Sequence, residues 1–177
     1  MGIVFVGGVH GVGKSTTCTE VATVLDLPVH SASAMIRAER AAPSPDKGKS
    51  VADLVTNQQW LIRGLRRRLL ENAGLHILDG HFALRSSIGL VECIGLDVFD
   101  QLGIEHIVCF QDDPAAIVSR LSDRDGYCGT VGEVAELQDM EIRHAALVAR
   151  RLSLPLHVLV AFDDVSLKRL LSSARGR

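Results

Sequence analysis

The sequence is poor in aromatic residues and cysteine, and it lacks a long apolar run. Only 4% of its 177 residues are aromatic, and its four cysteines are scattered without a C-x-x-C pair. Scattered cysteines are typical of reduced thiols and argue against a disulfide framework or a cysteine zinc site. No apolar run approaches the ~18 residues of a membrane span, and the first residues do not follow the signal-peptide pattern. We therefore expect a soluble, cytoplasmic protein with no membrane partner.

Neither sign of charge dominates the chain. The formal net charge is −2, so the basic excess of a dedicated nucleic-acid surface is missing and a nucleic-acid partner is not expected. Apolar residues make up 47% and charged residues 23% of the chain, which is typical of a globular protein. The length suits one domain spanning residues 1–177.

Glycines are concentrated near the start, where Gly8–Ser15 fits G-x-x-x-x-G-K-[ST]. Glycines let consecutive backbone N–H groups point at a phosphate. Lys14 adds a charge for the β- and γ-phosphates, and the Ser15 hydroxyl can hold Mg²⁺. An apolar run precedes the motif and a helical pattern follows it, which is the order that a phosphate-binding loop requires. The predicted ATP-binding residues are Gly8, Val9, His10, Gly11, Val12, Gly13, Lys14, Ser15 and Thr16.

Short apolar runs alternate with helical patterns along the chain. The predicted strands are 3–6, 27–30, 75–78, 106–110 and 156–161. The predicted helices are 17–25, 31–40, 51–72, 97–103, 115–121, 132–152 and 164–174. Residues 42–50 are rich in breakers and predicted to form a mobile loop, and residues 80–95 and 122–130 are predicted to be irregular. This alternation predicts an α/β fold with a five-stranded parallel sheet and helices on both faces.

A carboxylate follows the third predicted strand. In such sheets, ligands bind beyond the carboxyl ends of the strands, so Asp79 and the glycine loop are expected to converge there. Together, Asp79 and Ser15 could hold Mg²⁺. The alternative interpretation of Asp79 is an ordinary turn residue in an Asp-Gly pair.

Two arginines lie four residues apart after the fourth strand. Arg120 and Arg124 share a face if the helix continues that far. Arginine can neutralise the charge that spreads over the phosphoryl oxygens during transfer. The alternative is a solvated helix end, with the two arginines paired to Asp123 and Asp125.

Three further side chains are candidates for binding a second substrate. Arg37 lies on the helix after the second strand, and His81 and Arg85 follow Asp79 into the same expected crevice. His81 is not interpreted as a general base, because phosphoryl transfer depends mostly on positioning and charge stabilisation. Each of the three has an ordinary structural alternative.

These motifs resemble the nucleoside monophosphate kinase branch of P-loop kinases, above all compact adenylate kinase-like proteins, over nearly the whole chain. The matching parts are Gly8–Ser15, Ser31 to Arg37, Asp79-Gly80 and Arg120-x-x-x-Arg124. The resemblance implies that Arg120 lies against the ATP adenine and that Arg124 meets phosphates. It also implies a short lid at about 120–132 and substrate-side helices within 31–73. The family's Asp-Gly-aromatic-Pro-Arg differs here, because Asp79-Gly80-His81-Phe82 continues with Ala83-Leu84-Arg85.

The sequence therefore predicts an ATP- and Mg²⁺-dependent kinase for a small-molecule acceptor, most simply a nucleoside monophosphate. Lys14, Arg120 and Arg124 are the predicted catalytic residues. One alternative is a kinase for a non-nucleotide acceptor such as a sugar acid, a shikimate-like metabolite or an antibiotic. Another is a regulatory protein whose ATP hydrolysis drives a partner. A lid that carries its own arginines favours the kinase.

Overall fold

The computed structural model describes residues 2–41, 54–86, 88–126 and 129–175. The predicted loop at 42–50 and the predicted helix start at 51–53 lie outside the described residues. The strands are β1 Gly2–Gly7, β2 Val29–Ser31, β3 Leu75–Asp79, β4 Ala83–Arg85, β5 Val91–Cys93, β6 Ile104–Gln111 and β7 Leu156–Val160. The helices are α1 Lys14–Leu25, α2 Ala32–Ala41, α3 Leu54–Glu71, α4 Leu96–Gln101, α5 Pro114–Asp125, α6 Val131–Leu152 and α7 Asp164–Arg175.

Strand β1 lies at the centre of a five-stranded parallel sheet with the order β2-β3-β1-β6-β7. Every residue of β1 is buried, as expected for a strand that helices cover on both sides. One core cluster packs β1 and β6 against α1, α5 and α7. The other packs the opposite face against α2, α3, α4 and α6. The predicted α/β fold is confirmed.

The strand order determines where a site can form. Strand β1 pairs with β3 on one side and with β6 on the other. The strands that follow β1 in the sequence are therefore added to the sheet on both sides of it. A crevice opens at the carboxyl ends of strands that diverge in this way. The register pairs Val6 with Asp79 and Ser31 with Asp79. The loop after β1 therefore begins beside the end of β3.

Three details differ from the sequence prediction. Residues 80–95, expected to be irregular, contain an antiparallel hairpin in which Ala83 pairs with Cys93. Its strands have three residues each, which is too short for a clear alternating pattern. Helix α5 runs four residues further than predicted and ends at Gly126, which has φ 66°. Helix α1 begins at Lys14 rather than at residue 17, because the glycine loop leads directly into it.

Within the described parts of the chain, none of the helices combines the length and the apolar character needed to cross a membrane.

Candidate active site

The loop between β1 and α1 is a tight turn built on glycine. Gly8, Gly11 and Gly13 have φ of 135°, 77° and 99°, which side-chain-bearing residues rarely adopt. A Cβ at Gly8 would lie 2.7 Å from the carbonyl oxygen of Phe110. Gly13 caps α1 at its N-terminus, so the first N–H groups of this helix and its dipole face the loop. This arrangement suits a bound phosphate.

Lys14, Ser15 and Asp79 meet at the boundary between the loop and β3. The Lys14 Nζ lies 3.5 Å from Asp79 Oδ1, and the Lys14 side chain is 7% exposed. The Ser15 hydroxyl donates a hydrogen bond to Asp79 Oδ2. The register of β1 against β3 creates this meeting, since Val6 and Asp79 are paired neighbours.

The oxygen atoms of Ser15 and Asp79 fit a magnesium ion. Mg²⁺ prefers hard oxygen ligands, and it usually keeps several waters while taking substrate phosphates. In the described part of the chain, no cluster of three or more histidine, cysteine or carboxylate side chains could hold a metal. Such a protein cage is not needed here, because Mg²⁺ would share its ligands with the nucleotide.

Arg120 lies across the phosphate-binding loop. Its Nε donates to the Gly11 carbonyl at 2.9 Å, and its Nη2 lies 2.5 Å from Asp112 Oδ2. Its guanidinium carbon is 5.3 Å from the centre of the Phe162 ring. This anchoring places Arg120 beside the phosphate-binding loop.

Phe162 is an unpredicted member of this site. It lies between β7 and α7 with φ 63°, and it is 48% exposed. Its ring is so close to the loop that a Cβ at Gly13 would lie 2.8 Å from it. An exposed aromatic ring held in a strained backbone conformation at the edge of a cavity is a candidate for ligand contact.

A first cavity, of about 210 Å³, runs along the phosphate-binding loop. We call it the nucleotide cavity. Arg124 lines it together with Arg120, one helical turn earlier on α5. The prediction that the two arginines share a face is therefore confirmed. The residues lining the cavity are Val9, His10, Gly11, Gly13, Lys14, Ser15, Thr16, Arg120, Arg124 and Phe162.

A second cavity, of about 280 Å³, lies on the β3 side of the loop. We call it the acceptor cavity. His10, Lys14 and Ser15 line both cavities, so ligands in the two spaces could meet at these side chains. Asp79 and His81 line the acceptor cavity as well.

Behind this boundary lies a buried polar network. Glu141 of α6 is fully buried, and its Oε1 is 2.9 Å from His81 Nδ1. Its other oxygen accepts the Phe82 backbone N–H at 2.6 Å. The ring centre of His81 is 4.3 Å from that of His10 in the phosphate-binding loop. Helix α6 thus supports the phosphate-binding loop through His81.

Burial controls the charges in this network. Desolvation is the main cause that raises the pKa of Glu141 to about 7. It also lowers the pKa of His81 to about 3, with Lys14 adding to the effect. Burial and the neighbouring His81 lower the pKa of His10 to about 4. Both imidazoles are therefore neutral at pH 7.

The acceptor-side arginines lie outside the acceptor cavity. Arg85 donates to the carbonyls of Gly89 and Glu133 at 2.6 and 2.9 Å, and it lies 2.7 Å from the Glu136 carboxylate. The prediction that Arg85 lines the crevice is therefore wrong, because the hairpin directs it toward α6. Arg37 is exposed on α2 and does not line the cavity, so its contact with a substrate stays a prediction.

The chain's similarity to known proteins agrees with this architecture. A family model described as an AAA domain matches residues 7–128, and the chain belongs to this family. A gluconokinase from Sinorhizobium meliloti 1021 has a TM-score of 0.55 and 15% identity, over 99% of this chain and 92% of that chain. The tunicamycin resistance protein of Deinococcus radiodurans has a TM-score of 0.52 and 17% identity, over 88% of this chain and 98% of that chain.

At these identities the likeness concerns the fold, which is that of P-loop kinases. A search of curated proteins by sequence found no match.

Proposed function

We propose that the protein transfers the γ-phosphoryl group of Mg-ATP to a small molecule bound in the acceptor cavity. The observation that carries this proposal is the meeting of two cavities at Lys14 and Ser15. A protein that only hydrolyses ATP needs one space for the nucleotide and a path for water. A second cavity, lined by the same lysine, is what a two-substrate transferase requires.

The residues of the nucleotide cavity would stabilise the transferring group by charge and position. The loop amides and Lys14 hold the β- and γ-phosphates, and Arg120 and Arg124 face the same space. Ser15 and Asp79 would hold Mg²⁺, which neutralises charge on the phosphates when it is bound. The segment 120–132 is proposed as a lid that excludes water from the reaction. Residues 127 and 128 of this segment are outside the described structure.

The adenine is proposed to lie beside Arg120 and Phe162. The two side chains already contact each other at the end of the nucleotide cavity, and together they offer a cationic plane and an aromatic face to a base.

Replacing Phe162 with alanine is expected to weaken ATP binding by about tenfold, since stacking of a base on an aromatic ring contributes about 1–3 kcal/mol. Isothermal titration with a non-hydrolysable ATP analogue measures the effect. Val165→Ala is the control, because Val165 is exposed on the next helix and does not line the cavity. Equal affinities of Phe162→Ala and the wild type would rule out a role of this ring in binding.

Two classes of acceptor compete for the second cavity. The resemblance to adenylate kinase-like proteins favours a nucleoside monophosphate. The structural neighbours include a gluconokinase, by name a kinase for something other than a nucleotide, and a tunicamycin resistance protein. Among the described residues that line this cavity, Lys14 is the cation. This favours the second class, because an acceptor phosphate needs a cation of its own to hold it.

The direct test is ADP production from Mg-ATP by the purified protein, with and without candidate acceptors. The panel contains nucleoside monophosphates, nucleosides, sugars and sugar acids. Stimulation by one acceptor, lost in Lys14→Ala, would establish the kinase. ADP production that no acceptor changes, but that a protein partner stimulates, would instead support an ATP-hydrolysing regulator.

A further inference from the structure

The wall of the acceptor cavity is largely apolar. Phe5 of β1, Leu61 of α3 and Phe99 of α4 line it from three directions, and each is also part of one core cluster. The rings of Phe5 and Phe99 pack edge to face with their centres 5.3 Å apart. A ligand that fills this space therefore buries an apolar body against the core of the protein.

The described residues that line the acceptor cavity carry almost no net charge. Among the described residues that line it, the charged groups are Lys14 and Asp79, and they lie 3.5 Å apart. The two imidazoles that line it, His10 and His81, lie with their ring centres 4.3 Å apart. Lys14 is also the side chain that the ATP phosphates require. Among the described lining residues, a phosphate dianion would therefore find no cation besides Lys14 to compensate for its lost water.

The remaining polar groups of the cavity are neutral hydrogen-bonding side chains. Ser31 and Ser33 lie where β2 passes into α2, and Asn57 and Gln58 lie near the start of α3. Hydroxyl and amide groups can both donate and accept hydrogen bonds. Such groups suit hydroxyl, carbonyl or amide functions on an uncharged ligand, and they orient it without supplying charge.

We infer that the acceptor is an uncharged compound with an apolar body and a nucleophilic hydroxyl group, oriented by Asn57 and Gln58. This inference rests on the proposed kinase function. In the transfer, the acceptor oxygen forms a bond to the γ-phosphorus. The bond between that phosphorus and the β–γ bridging oxygen breaks, and its electron pair leaves with ADP. The hydroxyl proton is released to solvent as the new bond forms, since phosphoryl transfer depends mostly on positioning and charge stabilisation.

The experiment uses the intact protein and a small-molecule extract of its host cell. Ion-exchange resins divide the extract into uncharged, cationic and anionic fractions, and each fraction is incubated with the protein and γ-labelled Mg-ATP. We expect labelled product from the uncharged fraction, at a rate exceeding that of the anionic fraction by about 100-fold or more, because a buried unpaired anion is strongly disfavoured. The product itself then binds the anion-exchange resin.

Variants of adjacent residues test whether the acceptor cavity sets this preference. Gln58→Ala is expected to raise the KM for the uncharged acceptor by about tenfold, with the KM for ATP unchanged. The matched control is Gln59→Ala, since Gln59 is exposed and does not line the cavity. Ile36→Arg, which puts a cation in the cavity wall, is expected to lower turnover of the uncharged acceptor. Ala34→Arg is its control, because Ala34 is exposed on the same helix.

The outcomes separate the inference from the proposed function. Transfer to the uncharged fraction, weakened in Gln58→Ala but not in Gln59→Ala, supports both. Transfer only to the anionic or cationic fraction overturns the inference and leaves the kinase in place. Transfer to no fraction, with ATP binding intact, overturns the proposed function and the inference with it.

Discussion

Replacing Lys14 with alanine is expected to lower kcat for phosphoryl transfer by about 10²–10³-fold, the usual cost of removing one preorganised group that stabilises transition-state charge. Lys14 is the cation shared by the nucleotide and acceptor cavities. Its loss leaves the γ-phosphoryl group without the side chain that lies between donor and acceptor. Initial rates of ADP formation at saturating Mg-ATP measure the effect.

The control for Lys14→Ala is Lys168→Ala, which removes an exposed lysine from α7 and is expected to keep full activity. A thermal unfolding curve shows whether Lys14→Ala is still folded, because Lys14 is buried beside Asp79. A folded Lys14→Ala protein with wild-type kcat would refute the assigned role of this lysine.

The second large effect concerns Glu141 and the pH dependence of stability. Burial raises its pKa from 4.5 to about 7. Between these values the folded protein keeps a proton on Glu141 that the unfolded chain releases. The resulting stabilisation is therefore complete below about pH 4.5 and is lost as the pH rises through about 7.

Replacing Glu141 with glutamine removes this titrating group and preserves its shape. We compare the free energy of unfolding of the wild type with that of Glu141→Gln. We expect the difference, wild type minus variant, to fall by up to about 3 kcal/mol between pH 4.5 and pH 8. The lowered pKa of His81 acts in the opposite sense, but His81 is present in both proteins. Urea unfolding at both pH values measures the difference.

The control for this comparison is Glu136→Gln on the same helix. Glu136 is exposed and paired with Arg85, so its replacement is expected to change the free energy of unfolding by less than about 1 kcal/mol at either pH. A difference between the wild type and Glu141→Gln that is the same at pH 4.5 and pH 8 would contradict a raised pKa at Glu141.

The parts of the site that depend on local sequence could be predicted. The phosphate-binding loop needs glycines at fixed spacing, followed by Lys14 and Ser15, and these requirements are visible in ten consecutive residues. The apolar run before the loop predicted the central strand. The position of Asp79 followed from the rule that parallel strands expose their carboxyl ends at one edge. The shared face of Arg120 and Arg124 followed from their spacing of four residues on a helix.

The parts that depend on distant contacts could not be predicted. Arg85 points away from the acceptor cavity because a hairpin of two three-residue strands changes its direction. Phe162 reaches the phosphate-binding loop only through the packing of the β7–α7 connection.

The importance of Glu141 could have been recognised from the sequence pattern of α6. Val134 and Val148 lie seven residues to either side of it and are buried, so an acid stands within the apolar stripe of α6. A carboxylate at such a position must have a buried partner. The sequence alone did not identify that partner as His81.

The most direct test of the account is ³¹P NMR of Mg-ATP incubated with the protein and the uncharged fraction of a cell extract. We expect a new phosphomonoester signal that grows in step with ADP, without inorganic phosphate, and that is missing with Lys14→Ala. Equal amounts of ADP and inorganic phosphate, formed at the same rate with or without the extract, would contradict it. The protein would then be a nucleotide hydrolase and not a kinase.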